Sequence, residues 1–211
     1  MDWFAQIDGY CERIDATFWS EPLNAVTNAA FVIAALIMWQ RSRTTGGKML
    51  CVILAMIGLG SFAFHTFATR WAGLADVVPI GAYILTYLYL VNRNIAGLSL
   101  GWAAAATACY LPFAALIVPA VNQLPFFHIS GFYWTVPLLL VGYGIGLRLR
   151  GFLIGAGILA VSITVRSLDE IWCAGFPIGT HFVWHLLNGF MLGYMIAVYE
   201  TRALARQGAQ G

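Results

Sequence analysis

The sequence predicts an all-α integral membrane protein, a bundle of seven transmembrane helices with the N-terminus outside and the C-terminus cytoplasmic. Three observations predict it. Of 211 residues, 61% are hydrophobic and only 9% are charged, against roughly 25% charged in a soluble domain. A water-soluble chain of this size could not hide so much apolar surface. Apolar runs near the length needed to cross a bilayer, about 17–25 residues, recur seven times. The charged residues between those runs divide unevenly by side.

Taken in order, the predicted spans are Asn24–Gln40, Met49–Ala68, Leu74–Val91, Leu98–Val118, Gly131–Leu149, Phe152–Leu168 and Thr180–Tyr199. The fifth contains Pro137, and only Arg150 and Gly151 separate it from the sixth. Residues 1–21 form a polar N-terminal loop and residues 201–211 a cytoplasmic tail on a single domain. Met1–Glu21 is polar and acidic rather than basic and then apolar, so no separate signal peptide is expected. No span is a sequence repeat of another. With seven crossings, Arg41, Arg43, Lys48, Arg93, Arg148, Arg150, Arg202 and Arg206 share one side, against Arg13, Arg70 and Arg166 on the other. The basic-rich side is cytoplasmic by the positive-inside rule. Of the acids, only Glu200 falls there. A net charge of +2 gives no reason to expect a nucleic-acid partner, and four cysteines are too few for a disulfide scaffold.

Polar groups in hydrocarbon are costly, so their positions carry information. Ser61 and His65 lie near the outer end of the second span, Asp76 begins the third, and His181 and His185 begin the seventh. The topology therefore brings all five to one depth, although His65 and His181 are 116 positions apart. His181 and His185 are four apart and share a helix face, as do Ser61 and His65. Three neutral imidazoles with one open position describe a catalytic zinc site, where a bound water loses its proton near neutral pH. Asp76 is then placed to accept that proton and pass it to a leaving group, and Ser61 to donate to an oxyanion. The same residues admit other readings. A transmembrane histidine commonly bonds a carbonyl or hydroxyl, a serine commonly bonds back to its own helix, and two imidazoles can grip haem iron. His128, beside Phe126 and Phe127, reads as an interfacial residue. Asn24 is a candidate cap for the first helix, and Asn28 a candidate for a bond across helices.

Several segments resemble the alkaline ceramidases, seven-helix enzymes of the superfamily that also holds adiponectin-receptor-like proteins. Phe18-Trp19-Ser20-Glu21-Pro22-Leu23-Asn24-Ala25-Val26-Thr27-Asn28 resembles their first signature. Gly58-Leu59-Gly60-Ser61-Phe62-Ala63-Phe64-His65 with Asp76-Val77-Val78-Pro79 resembles their second. Thr180-His181-Phe182-Val183-Trp184-His185 resembles their last. Asp169-Glu170-Ile171-Trp172-Cys173 is similar to a segment between their sixth and seventh helices. The matches run in order from about residue 11 to 189. The resemblance implies zinc held by His65, His181 and His185, with Asp76 relaying protons and Ser61 steadying the oxyanion. The implied reaction cleaves the amide of an N-acyl sphingoid lipid to a free base and a fatty acid.

The resemblance also implies a calcium ion in the N-terminal loop. Glu12 and Glu21 match the family's acids, but Gly9 and Ile14 stand where it has Asp and Asn. Asp8 or Asp15 would have to compensate, since calcium wants six to eight oxygens. It further implies a disulfide between Cys11 and Cys173, leaving Cys51 and Cys109 free. Val77 stands where the family has Glu. Loops shorter than those of eukaryotic members fit a compact bacterial relative, whose membrane would be the plasma (inner) membrane. Two other functions use the same residues: a lipid esterase or phospholipase with the same metal, and a non-enzymatic receptor or scaffold with a structural metal. Oligomeric state is not legible.

Overall fold

A computed structural model describes residues 2–7, 9–127 and 130–209. The described chain is helical apart from its connections and one isolated bridge between Gln6 and Thr69. Six helices are long and apolar enough to cross a membrane: α1 (Pro22–Arg41), α2 (Thr45–Phe67), α3 (Arg70–Ile95), α4 (Leu100–Val121), α6 (Arg150–Ser167) and α7 (His181–Gly208). Between them lies α5 (Gly131–Gly146), apolar but of only 16 residues. At 1.5 Å per residue it spans about 24 Å, short of a hydrocarbon core of about 30 Å. The predicted fifth run reached Leu149. The helix stops earlier because Arg148 adopts a left-handed φ of 54°, which reverses the chain into α6.

Three of the long helices carry local breaks. α1 is interrupted at Asn28, whose side chain donates to Asn24 Oof the turn before at 2.9 Å rather than across to another helix. α3 ends in a π-helical turn, Val91–Ile95. α4 is interrupted at Cys109. The last helix runs on to Gly208, through most of the stretch predicted as a tail. Ala203 is buried there, and the Arg206 guanidinium reaches the carbonyl of Ile95.

Neighbours in sequence pack side by side, and α7 closes the ring by packing on both α6 and α1. The core inside that ring is apolar and aromatic, with Phe31, Leu54, Ile57, Tyr83, Phe152, Leu159 and Met191 buried. The outside is apolar too. Leu116 is 76% exposed, Trp102 71% and Phe190 64%. A surface of that kind needs a bilayer rather than water against it. Two glycines set helix spacing near the histidines. A Cβ on Gly60 of α2 would lie 2.0 Å from the Ala75 carbonyl oxygen of α3, and one on Gly189 of α7 2.9 Å from the Ala30 backbone of α1. Only glycine permits those approaches. They draw α2 against α3 and α7 against α1.

Candidate metal centre

His65 stands in the last turn of α2, and His181 and His185 stand one turn apart at the start of α7. The close packing of α1 against both helices brings the three rings together. Ring centroids are 5.0 Å apart for His65 and His181, 4.8 Å for His65 and His185, and 4.6 Å for His181 and His185. All three side chains are buried, and one nitrogen from each lies within 4.8 Å of the others.

The hydrogen bonds around the rings assign their tautomers. His65 Nδ1 lies 2.6 Å from Glu21 Oε2. A carboxylate only accepts, so Nδ1 carries the proton and Nε2 keeps its lone pair. His185 Nδ1 lies 3.0 Å from Thr27 Oγ1, whose own proton goes to the Leu23 or Asn24 carbonyl. Thr27 therefore accepts from His185, and again Nε2 is left with a lone pair. Both Nε2 atoms, and Nδ1 of His181, are buried without a hydrogen-bond partner. Leaving a buried polar atom unsatisfied costs about 1–3 kcal/mol. Three such nitrogens within 4.8 Å of one another are a donor set suited to a shared cation: neutral imidazoles, of which His65 and His185 are oriented by the bond the other ring nitrogen makes, as metal-binding histidines are. The residues present fit a metal ion such as zinc.

The N-terminal loop supports this cluster. Glu21, buried just before α1, takes Arg13 Nε on Oε1 at 2.5 Å and His65 on Oε2. Arg13 also donates to the backbone carbonyls of Asp15 and His65, each at 3.0 Å. Burial raises the Glu21 pKa, but the bonds from His65, Asn24 and Arg13 outweigh it and hold the carboxyl below the ordinary glutamate range. Glu21 is thus a partner of the candidate ligand His65, a role that sequence reading did not give it. Its carboxylate already has a cation in Arg13.

The other residues expected to hold calcium have separate work. Both Glu12 oxygens accept from the first amides of α1, Leu23 N at 2.7 Å and Asn24 N at 2.8 Å. Glu12 is therefore the cap that Asn24 was expected to be. Asn24 instead lies inside the helix and donates to Glu21 at 3.1 Å. Asp15 is exposed and accepts from the Thr17 hydroxyl and amide, which lower its pKa. Asp8 and His128 lie outside the described residues.

Asp169, quoted above only as part of a matching segment, fixes the start of α7. Its buried carboxylate accepts from Thr180 N at 2.6 Å, His181 N at 2.9 Å and Cys11 N at 3.0 Å. One side chain therefore positions the first histidine of α7 and the N-terminal loop together. Beside it Cys11 and Cys173 lie at disulfide distance, with Cα atoms 5.3 Å apart, while Cys51 and Cys109 are free.

Ser61 and Asp76 face the same cavity as His181 and His185. The Gly60–Ala75 approach explains why two residues on different helices meet. Among the cavity's further polar lining residues are Tyr10 and Arg166, to which sequence reading gave no role at the site. The Tyr10 ring lies against His181, tilted by 30°, with centroids 3.9 Å apart. Burial pushes its hydroxyl well above the ordinary tyrosine range, so it remains protonated. The signal for Arg166 was present: a guanidinium in the last turn of an otherwise apolar run.

Below the histidines the cavity adjoins a second one that shares Ile84, Val136, Met191 and Leu192 with it. That second space is lined by aliphatic and aromatic side chains, among them Tyr83, Leu140 and Phe152. The shared residues carry an apolar lining from the polar cluster into the interior of the bundle. No family model matches this chain, and no curated protein matches it.

Proposed function

We propose that this protein is an intramembrane zinc-dependent amidohydrolase of the ceramidase type, cleaving an N-acyl sphingoid lipid to the free base and a fatty acid. The observation that carries the proposal is a cluster of three buried histidine nitrogens without hydrogen-bond partners, two of whose rings line an apolar cavity together with Ser61 and Asp76. A structural metal would not need a neighbouring carboxylate and hydroxyl that leave its ligands alone. A water-soluble substrate would not need the apolar lining. In this reading α5 also crosses the bilayer, giving seven spans. The histidine-bearing end then faces away from the cytoplasm and the arginine-rich end toward it, as the charge asymmetry requires.

Zinc bound to the three imidazoles supplies a Lewis acid that polarises the substrate carbonyl and makes a water nucleophilic at neutral pH. The remaining work falls to the chain. Glu21 and Thr27 hold His65 and His185 in the tautomer that presents Nε2. Asp76 accepts a proton from the attacking water and delivers it to the departing amide nitrogen. Ser61 donates to the carbonyl oxygen as negative charge builds on it. The apolar space between α3, α5 and α7 takes the acyl chain, so the scissile carbonyl stops level with the histidines.

The test is a hydrolysis screen of purified protein with ceramide and with a phospholipid of the same acyl chain. Fatty acid should be released from ceramide, and the release should stop on chelation and return with zinc. Release from phospholipid alone would replace the amidase with an esterase, and release from neither these nor any other amide lipid would remove the enzymatic reading.

A further inference from the structure

Arg166 is the feature of the cavity that hydrolysis of a neutral amide does not require. It sits in the last turn of α6. Its guanidinium carbon lies 5.2 Å from the Tyr133 ring centroid and 5.7 Å from that of Trp184, so two aromatic faces hold it. Its hydrogen bonds include those it donates to Ser130 Oγ at 2.9 Å and Tyr10 Oη at 3.5 Å. Through Tyr10 it is one aromatic ring away from His181.

Its position relative to the rest of the cavity is informative. The apolar lining leads away from the histidines into the interior of the bundle. Arg166 instead lines both the histidine cavity and a more open cleft bounded by the N-terminal loop and α3. The charged residues lining that cleft are Arg70, Arg166 and Asp76. If an acyl chain fills the apolar end of the cavity, the other half of the substrate emerges past Asp76 into the cleft that Arg70 and Arg166 line. A guanidinium presents N–H donors in a fork matched to carboxylate, phosphate and sulfonate oxygens, and its attraction is strongest where water is scarce.

We propose that Arg166, assisted by Arg70, binds an anionic oxyacid group on the amine side of the scissile amide. The preferred substrates are then acidic amide lipids, such as a phosphorylated N-acyl sphingoid base or an N-acyl amino acid, rather than neutral ceramide. This rests on the amidohydrolase reading for the direction in which the substrate lies, and the test separates the two.

The test measures equilibrium binding to chelated, metal-free protein in neutral detergent, so it does not depend on turnover. The probes are ceramide 1-phosphate, an N-acyl glycine and neutral ceramide of matched acyl length, with phosphatidylglycerol as competitor. Wild-type protein should bind both anionic amides at least about tenfold tighter than ceramide, a margin suited to one charge-assisted pair. Arg166→Gln should erase most of that preference, Arg166→Lys should keep part of it, and Arg70→Gln should reduce it less. Equal affinity for ceramide and the anionic amides in wild-type protein would overturn the proposal without any variant. So would an undiminished preference in Arg166→Gln, or displacement by phosphatidylglycerol as effective as by the anionic amides. Whether the phosphate or the carboxylate probe binds tighter identifies the oxyacid. A positive binding result with no hydrolysis of any amide would sink the catalytic reading and leave the anion site standing.

Discussion

The two ends of the bundle both bury polar side chains, but they treat them differently. At the arginine-rich end Glu200, 5% exposed, accepts from Arg43 N at 2.9 Å and from the amide and hydroxyl of Thr44. Asn94 donates to Tyr199 at 2.7 Å, and Asn92 accepts from Tyr143 at 2.8 Å. Each of these groups has a partner in the protein. At the histidine end, among the described residues, the unpartnered atoms include a nitrogen from each of three histidines. A cluster that only holds helices together satisfies itself. A cluster that leaves lone pairs facing inward is built for something the chain does not contain. The contrast marks the histidine cluster, rather than the Glu200 network, as the candidate functional site.

Substitutions on the two sides of this comparison should behave differently. Asp76→Asn should have the largest catalytic effect of the non-ligand changes, lowering turnover on the order of 10²–10⁴-fold, as loss of a general base does, while metal content stays at the wild-type value. Undiminished turnover in the variant would take Asp76 out of the reaction. Glu21→Gln removes the negative charge behind His65 Nδ1 and should weaken metal affinity about 10–100-fold. Competition against a graded chelator measures this, and an unchanged affinity would reduce Glu21 to a partner of Arg13. Glu200→Ala leaves the amides of Arg43 and Thr44 without their acceptor and should cost about 1–3 kcal/mol of stability. Its metal content and its turnover per folded molecule should match wild type. If Glu200→Ala lost metal as Glu21→Gln does, the two ends would not be distinct in kind.

How much of this was legible in the sequence depends on the scale of the feature. Six of the spans were legible because each is a long apolar run, while the fifth run gave a shorter apolar helix. Their ends moved by a few residues where a backbone conformation decided the matter, as at Arg148, or where nothing stopped a helix, as after Tyr199. The convergence of His65, Asp76, His181 and His185 was legible because alternating crossings put them at one depth. Their supports were not. Glu21, Arg13, Thr27 and Asp169 act through contacts between segments up to 158 positions apart, and no local pattern marks an acid as a partner of a histidine rather than a calcium ligand. The Gly60–Ala75 approach was similarly hidden, because a small residue in an apolar run looks the same whether it faces lipid or another backbone.

Metal analysis of the purified protein and of His185→Ala, at equal folded concentration, tests the central claim most directly. One zinc per chain is predicted for the unaltered protein, falling to near zero in the variant because two imidazoles hold the ion poorly. Wild-type protein without bound metal after growth and purification in zinc, or a His185→Ala protein that keeps a full equivalent, would contradict the account.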